Sequence, residues 1–245
     1  MIDIVVPVSG GKDSQACLKL AVTEYGPDRV RGLFNDTRFE HPLTYQHIEK
    51  LKEVYGVRID TVCGGSVIEK CIKYNRFPGG GARFCTEELK MRESKIYYKA
   101  LALAQGQGFQ VWAGMRLDES HARGKKYADV EETDLLDMHE LFPSKFPKYL
   151  GKMGVFMRLP ILHWLDAEIF QYLEGKHNPL YDKGFDRVGC FPCLASGDAW
   201  KTKAFEFDGF GREQYRKVQE LEVLFSRSIF TSKKVRRPGC MLCSI

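Results

Sequence analysis

Two groups of residues in this chain have the types and spacing that chemistry requires. The first is Ser9-Gly10-Gly11-Lys12-Asp13-Ser14, directly after the apolar run of residues 2–8. Glycines let backbone amides approach an anion closely, and the start of a helix offers unpaired N–H groups at a positive dipole end. Ser9 and Ser14 add hydroxyl donors, Lys12 a compact cation, and Asp13 a carboxylate that can orient neighbours or assist a metal. The segment reads as a phosphate loop, and it lacks the Gly-x4-Gly-Lys spacing of a Walker loop. The competing reading is a glycine turn with no ligand. The second group is two Cys-x-x-Cys pairs, Cys190/Cys193 and Cys240/Cys243, four soft ligands of the kind that hold zinc or an iron–sulfur cluster. Residues 194–239 separate the pairs, more than a compact zinc ribbon uses.

The elements around these residues follow from hydrophobic period. Residues 2–8, 30–34, 57–62, 109–114 and 155–162 read as buried strands. Residues 15–25, 44–55, 66–74, 87–104, 166–173 and 212–225 read as helices, with Asp166 as an N-cap. Residues 77–84 read as a loop and 118–154 as an irregular excursion. Strand alternating with helix predicts an α/β fold, a Rossmann-like doubly wound parallel sheet. After Gly175 the chain turns loop-rich, so the expected units are 1–175 for nucleotide binding and 176–245 for the cysteine region.

Composition sets the outer bounds. The chain has 245 residues, 44% hydrophobic and 28% charged, with net charge +5. This is ordinary globular composition, against disorder or a coiled coil. No run approaches the ~18 apolar residues of a membrane span, and the first residues lack the pattern of a signal peptide. The expectation is a cytoplasmic protein without a membrane partner, whose cysteines do not form a disulfide framework. The basic balance suits anionic ligands. Cys17, Cys63 and Cys71 read as small core residues.

The hexapeptide at 9–14 is identical to the PP-loop of ATP pyrophosphatases. Further blocks resemble the phosphoadenosine phosphosulfate (PAPS) reductase-like branch of that superfamily. These are Asp36-Thr37-Arg38-Phe39-Glu40-His41-Pro42, Arg83-Phe84-Cys85-Thr86, Gly114-Met115-Arg116 running on to Glu119-Ser120-His121-Ala122-Arg123, Arg158-Leu159-Pro160-Ile161-Leu162-His163-Trp164, Asn178-Pro179-Leu180-Tyr181-Asp182-Lys183-Gly184-Phe185, and Gly189-Cys190-Phe191-Pro192-Cys193. The resemblance implies an adenine nucleotide at the carboxyl ends of the strands, bound by Ser9, Gly10, Gly11, Lys12, Asp13, Ser14 and Gly114, with Asp36 and Thr37 near adenine and ribose. It implies Arg116 and Arg123 on phosphate or a substrate anion; the plainer reading of these arginines is an ion pair with Asp118 or Glu119. Asp36 reads equally well as a turn residue.

Two departures redirect the expected activity. The reductases carry a terminal Glu-Cys-Gly-Leu-His segment that this chain lacks, and their phosphate loop tends to be modified where this one is intact. The expectation is therefore an ATP pyrophosphatase-type enzyme that adenylates an acceptor for sulfur transfer. Its catalytic residues would be Lys12, Asp13, Arg116, Arg123 and Cys85, with Mg²⁺ on the β and γ phosphates. A [4Fe–4S] cluster is expected on Cys190, Cys193, Cys240 and Cys243, with zinc as the alternative and Cys85 as a rival ligand or sulfur carrier. RNA or DNA as acceptor and a sulfur-donor protein are the expected partners. The alternatives are a PAPS or APS reductase, and a non-catalytic subunit that binds nucleotide or nucleic acid.

Overall fold

The computed structural model describes residues 1–79 and 83–231. The terminal basic run Lys233, Lys234, Arg236 and Arg237, the pair Cys240/Cys243, and Gly80–Gly81 lie outside the described residues. The chain runs β1 (Ile4–Pro7), α1 (Lys12–Tyr25), β2 (Val30–Asn35), α2 (Pro42–Tyr55), β3 (Ile59–Val62), α3 (Val67–Tyr74) and α4 (Phe84–Thr86). A π-helical turn, Glu87–Met91, joins α4 to α5 (Arg92–Gln105). Then come β4 (Gln110–Trp112), α6 (His121–Lys126), α7 (Met138–Leu141), α8 (Tyr149–Lys152), β5 (Phe156–Arg158), α9 (Asp166–Leu173), α10 (Asp198–Glu206) and α11 (Gly209–Phe225).

All five strands are parallel, in the order β3-β2-β1-β4-β5. The order reverses between β1 and β4, and a ligand crevice opens at the carboxyl ends beside such a reversal. Alternation along β1 divides the core in two. Val5 packs with Leu33, Val111 and the α5 residues Tyr98 and Ala102. Ile4 and Val6 pack with Ala16 and Leu18 of α1, Ile48 and Leu51 of α2, and Ile169 and Leu173 of α9. Helices thus cover both faces, as a parallel sheet of apolar strands demands.

The excursion at 118–154 contains three short helices, and Tyr127, Met138, Phe142, Phe146 and Leu150 seal one end of the core. Helix α10 was not expected from the sequence. Its apolar spacing is weak, and Ala204 and Phe205 are buried through tertiary contacts with separate clusters. Asp166 is not the N-cap of α9: Leu165 holds that position with extended backbone, and Asp166 is the first helical residue. Cys17 and Cys71 are buried as expected, but Cys63 is exposed, its thiol 3.7 Å from the Gly65 carbonyl. The short β3 ends at Val62, so Cys63 falls in the turn beyond the core.

Residues beyond 175 pack directly against the sheet body. The Lys176 carbonyl accepts from Gln15 Nε2 at 2.7 Å, and Asn178 Nδ2 donates to the Gly10 carbonyl at 3.1 Å. His41 ties the last helix to the second. Its Nδ1 accepts from the Leu43 amide at 3.1 Å, so Nε2 carries the proton and donates to Asp208 Oδ2 at 2.9 Å. Asp208 in turn caps α11.

Two predictions follow from this packing. A Cβ on Gly114 would stand 2.8 Å from the Asp13 carbonyl carbon and 2.9 Å from the Ser14 amide, so something must shift. Gly114→Ala should cost about 1–3 kcal/mol in a denaturant melt, whereas Gly197→Ala, with open space at its Cβ, should not. Burial, with help from Lys50 and His177, lowers His47 from 6.5 to about 4. A lowered histidine stabilises the fold above its unfolded value and loses that contribution as pH falls. Acid melts of His47→Gln should therefore show a shallower fall in stability between pH 6.5 and about 4 than the parent chain.

Candidate functional site: a phosphate loop beside a thiol pocket

The loop after β1 folds back on its own hydroxyls. Ser14 Oγ accepts from the Ser9 amide at 3.1 Å and donates to the Gly11 carbonyl at 2.9 Å. Ser9 Oγ accepts from the Gly11 amide at 3.3 Å. Gly10 holds φ +78°, and a Cβ there would lie 2.6 Å from Thr44 Cγ2, so only glycine fits this turn. Gly11 precedes α1 and supplies no side-chain cap. The Lys12 amide instead donates to Tyr181 Oη at 2.9 Å. Gly114, at the end of β4, lies against the backbone of Asp13 and Ser14. The structure thus brings Ser9, Gly10, Gly11, Lys12, Asp13, Ser14 and Gly114 together.

The charges above the loop form one knot. Arg116 is buried, and its guanidinium meets Asp13 Oδ1 at 2.6 Å, Asp118 at 2.7 Å and Asp166 Oδ1 at 2.7 Å. Burial opposes this charge, but Asp13, Asp118 and Asp166 outweigh it and raise Arg116 above its ordinary range. Lys12 Nζ lies 3.3 Å from Asp13 Oδ2 and 2.9 Å from Asp166 Oδ1. Arg123, also buried, pairs with Glu119. Both arginines therefore hold carboxylates here, and both line a cavity over the loop. Asp36 stands apart: its Oδ1 accepts from the Arg38 amide at 2.8 Å and from Tyr45 Oη at 2.7 Å, the bonding of a turn residue.

A cavity of about 700 Å³ opens over the loop. Ser9, Lys12, Arg116, Tyr181, Cys193, Trp200 and Arg227 are among the residues that line it. A second cavity of about 40 Å³ adjoins it and is lined by Thr37, Cys85, Lys90, Cys190 and Cys193. Ser9, Arg83, Arg187 and Cys193 line both. Burial pushes the Cys190 thiol well above its ordinary range, with Lys90 pulling the other way. Its sulfur is 3.4 Å from Thr37 Oγ1 and 3.7 Å from Glu40 Oε1.

The donors Cys85, Cys190 and Cys193 are of the right kind for a cluster or zinc. Their positions are not those of a formed centre. Among the described residues no three His, Cys, Asp or Glu side chains sit close enough to share a metal ion.

Sequence reasoning assigned no role to Tyr181, Asn178 or Arg187, and it took Asp166 for a cap. The block at 178–185 was visible as a signature, but its hold on residues 10–12 crosses more than 160 positions and no local pattern announces it.

A profile for the phosphoadenosine phosphosulfate reductase domain matches residues 3–196. An uncharacterized protein of Methanocaldococcus jannaschii is 31% identical over 195 residues, which cover 78% of this chain and 36% of that protein. The match thus takes in only about a third of that relative's length. The phosphoadenosine 5'-phosphosulfate reductase of Photorhabdus laumondii is 25% identical over 218 residues, 87% of this chain and 76% of that one. The crystal structure of phosphoadenylyl-sulfate reductase from Candida auris, a phosphate complex, superposes with TM-score 0.50 at 16% identity. It covers 78% of this chain and 83% of that chain, a likeness of fold. No helix among the described residues is long and apolar enough to cross a membrane. With the profile spanning most of the chain and the parallel sheet in place, the chain belongs to the phosphoadenosine phosphosulfate reductase domain family.

Proposed function

We propose that this chain is an enzyme that binds ATP by its phosphates on the loop at residues 9–14 and adenylates an acceptor for sulfur chemistry. One observation carries the reading: Ser9 and Cys193 each line both the cavity over the loop and the thiol pocket. A nucleotide held by the loop and a reactive sulfur would then be neighbours.

The reaction balances without any group beyond nucleotide, acceptor and sulfur donor. An acceptor oxygen attacks the α phosphorus, the α–β bridge breaks, and pyrophosphate leaves. AMP, now joined to the acceptor, is a good leaving group, and a sulfur nucleophile displaces it. The chain's part is to hold and neutralise phosphates. Loop amides and Lys12 suit that role, since donors fixed in place need no reorganisation as charge develops. Arg83, Arg123, Arg187 and Arg227 line the same cavity, and this basic lining supports a nucleic acid as acceptor. An iron–sulfur cluster on Cys190 and Cys193, completed by Cys240 and Cys243 with Cys85 as rival ligand, would supply soft-metal sulfur chemistry when bound.

A sulfonucleotide reductase is the second reading. The Photorhabdus laumondii reductase, similar over 87% of this chain, supports it.

Calorimetric titration of anaerobic protein with ATP–Mg²⁺ and with PAPS separates the two. Tighter ATP binding is expected; tighter PAPS binding would hand the site to the reductase reading. Lys12→Ala should weaken ATP binding by at least ~1.5 kcal/mol, and an unchanged affinity would remove Lys12 from the site. Anaerobically purified protein should carry iron and acid-labile sulfide that Cys190→Ser or Cys193→Ser removes. Stoichiometric zinc without iron would overturn the cluster.

A further inference from the structure

Lys12 and Arg116 meet the carboxylates of Asp13, Asp118 and Asp166, and one of these differs from the rest. Asp166 Oδ1 is a single atom that touches two buried cations, Lys12 Nζ at 2.9 Å and Arg116 Nη2 at 2.7 Å. Those cations' side chains are 6% and 4% exposed, whereas the Asp166 side chain is 55% exposed. Asp13 also contacts both, but through two separate oxygens and from inside the first turn of α1. Asp118 grips only Arg116 and does not line the cavity. Asp166 does line it.

One oxygen shared by a lysine and an arginine is what a non-bridging phosphoryl oxygen offers. The amides below are occupied in the same manner: Ser14 Oγ on Ser9, Ser9 Oγ on Gly11, Tyr181 Oη on Lys12. The loop is therefore closed on internal stand-ins for an anion. Asp166 has the least to lose on leaving, because its carboxylate is already half in water, more exposed than those of Asp13 and Asp118.

Resting on the reading that polyphosphate binds at this loop, we infer that the position of Asp166 Oδ1 is a phosphoryl-oxygen subsite and that Asp166 is its gatekeeper. An entering polyphosphate takes over Lys12 and Arg116, and the carboxylate turns out to solvent. The ligand chemistry is a chain of phosphates, free or carried by a nucleoside. The plain alternative is a carboxylate that only stabilises the start of α9 through the helix dipole.

The test is calorimetry of the full chain and of Asp166→Asn with inorganic tripolyphosphate and with ATP, each in Mg²⁺ and in EDTA. Without metal, Asp166→Asn should bind both probes about tenfold more tightly, the scale of one charge-assisted contact no longer contested. A gain with ATP alone would move the subsite to the nucleoside end and overturn the assignment. An affinity equal to the parent's, or a loss confined to Mg²⁺, would overturn it too, the latter making Asp166 a metal ligand. Asp166→Ser, which leaves the cap position at Leu165 untouched, repeats the test should the asparagine variant fail to fold. Glu168→Gln, on the same turn but bonded to the Leu165 amide, should bind as the parent does. If the parent binds neither probe, the loop reading falls and this inference with it; if the parent binds and Asp166→Asn gains nothing, only the inference falls.

Discussion

Arg116 is the constraint on which the site depends. A guanidinium inside a protein has to be paired, and leaving such a charge without any partner costs about 3–5 kcal/mol. Here the partners come from three separate stretches: Asp13 in the first turn of α1, Asp118 just after Arg116 itself, and Asp166 at the start of α9. The pairing therefore decides where the ends of α1 and α9 lie relative to the end of β4. Gly114, two residues earlier, brings that strand end against the loop backbone at a distance no side chain would allow.

From this knot the order of the rest follows. The reversal of strand order between β1 and β4 leaves a crevice at their carboxyl ends, and the loop after β1 forms its floor. Asn178 and Tyr181 reach the loop from the other side and hold Gly10 and Lys12 by backbone contacts. The thiol pocket is reached through a second network. Glu40, buried, accepts from the Thr37 hydroxyl at 2.6 Å and lies 3.7 Å from the Cys190 sulfur. The bond from the Phe191 amide to the Phe39 carbonyl, 2.7 Å, fastens the two segments together. The block after β2 thus buttresses the cysteine segment, while its Asp36 is spent on a turn.

Electrostatics give the site its character. Lys12 and Arg116 are buried beside three carboxylates, which more than match their two charges. The thiols lie in a different setting. Burial raises the Cys190 thiol well above its ordinary range, and Cys71 is pushed up to about 12 for the same reason. Cys193 lies on the wall shared with the loop cavity, and that position distinguishes it among the cysteines described.

By itself the sequence determined the alternation of strands and helices, the glycine turn after the first strand and the family, because each is written in neighbouring residues: period-two and period-3.6 patterns, Gly10-Gly11, short signature blocks. It also picked out Cys17 and Cys71 as core residues. Tertiary structure alone decided which groups meet. Asp166 looks like a helix cap until the fold sets Lys12 and Arg116 beside it, and Tyr181 has no local reason to touch residue 12. Helix α10 had too little periodicity to be read, since its buried side chains answer to separate clusters contributed by distant segments. The physical reason is the same in each case. Propensity and periodicity act over a few residues, whereas ion pairing and desolvation depend on distances in space that only the folded chain establishes.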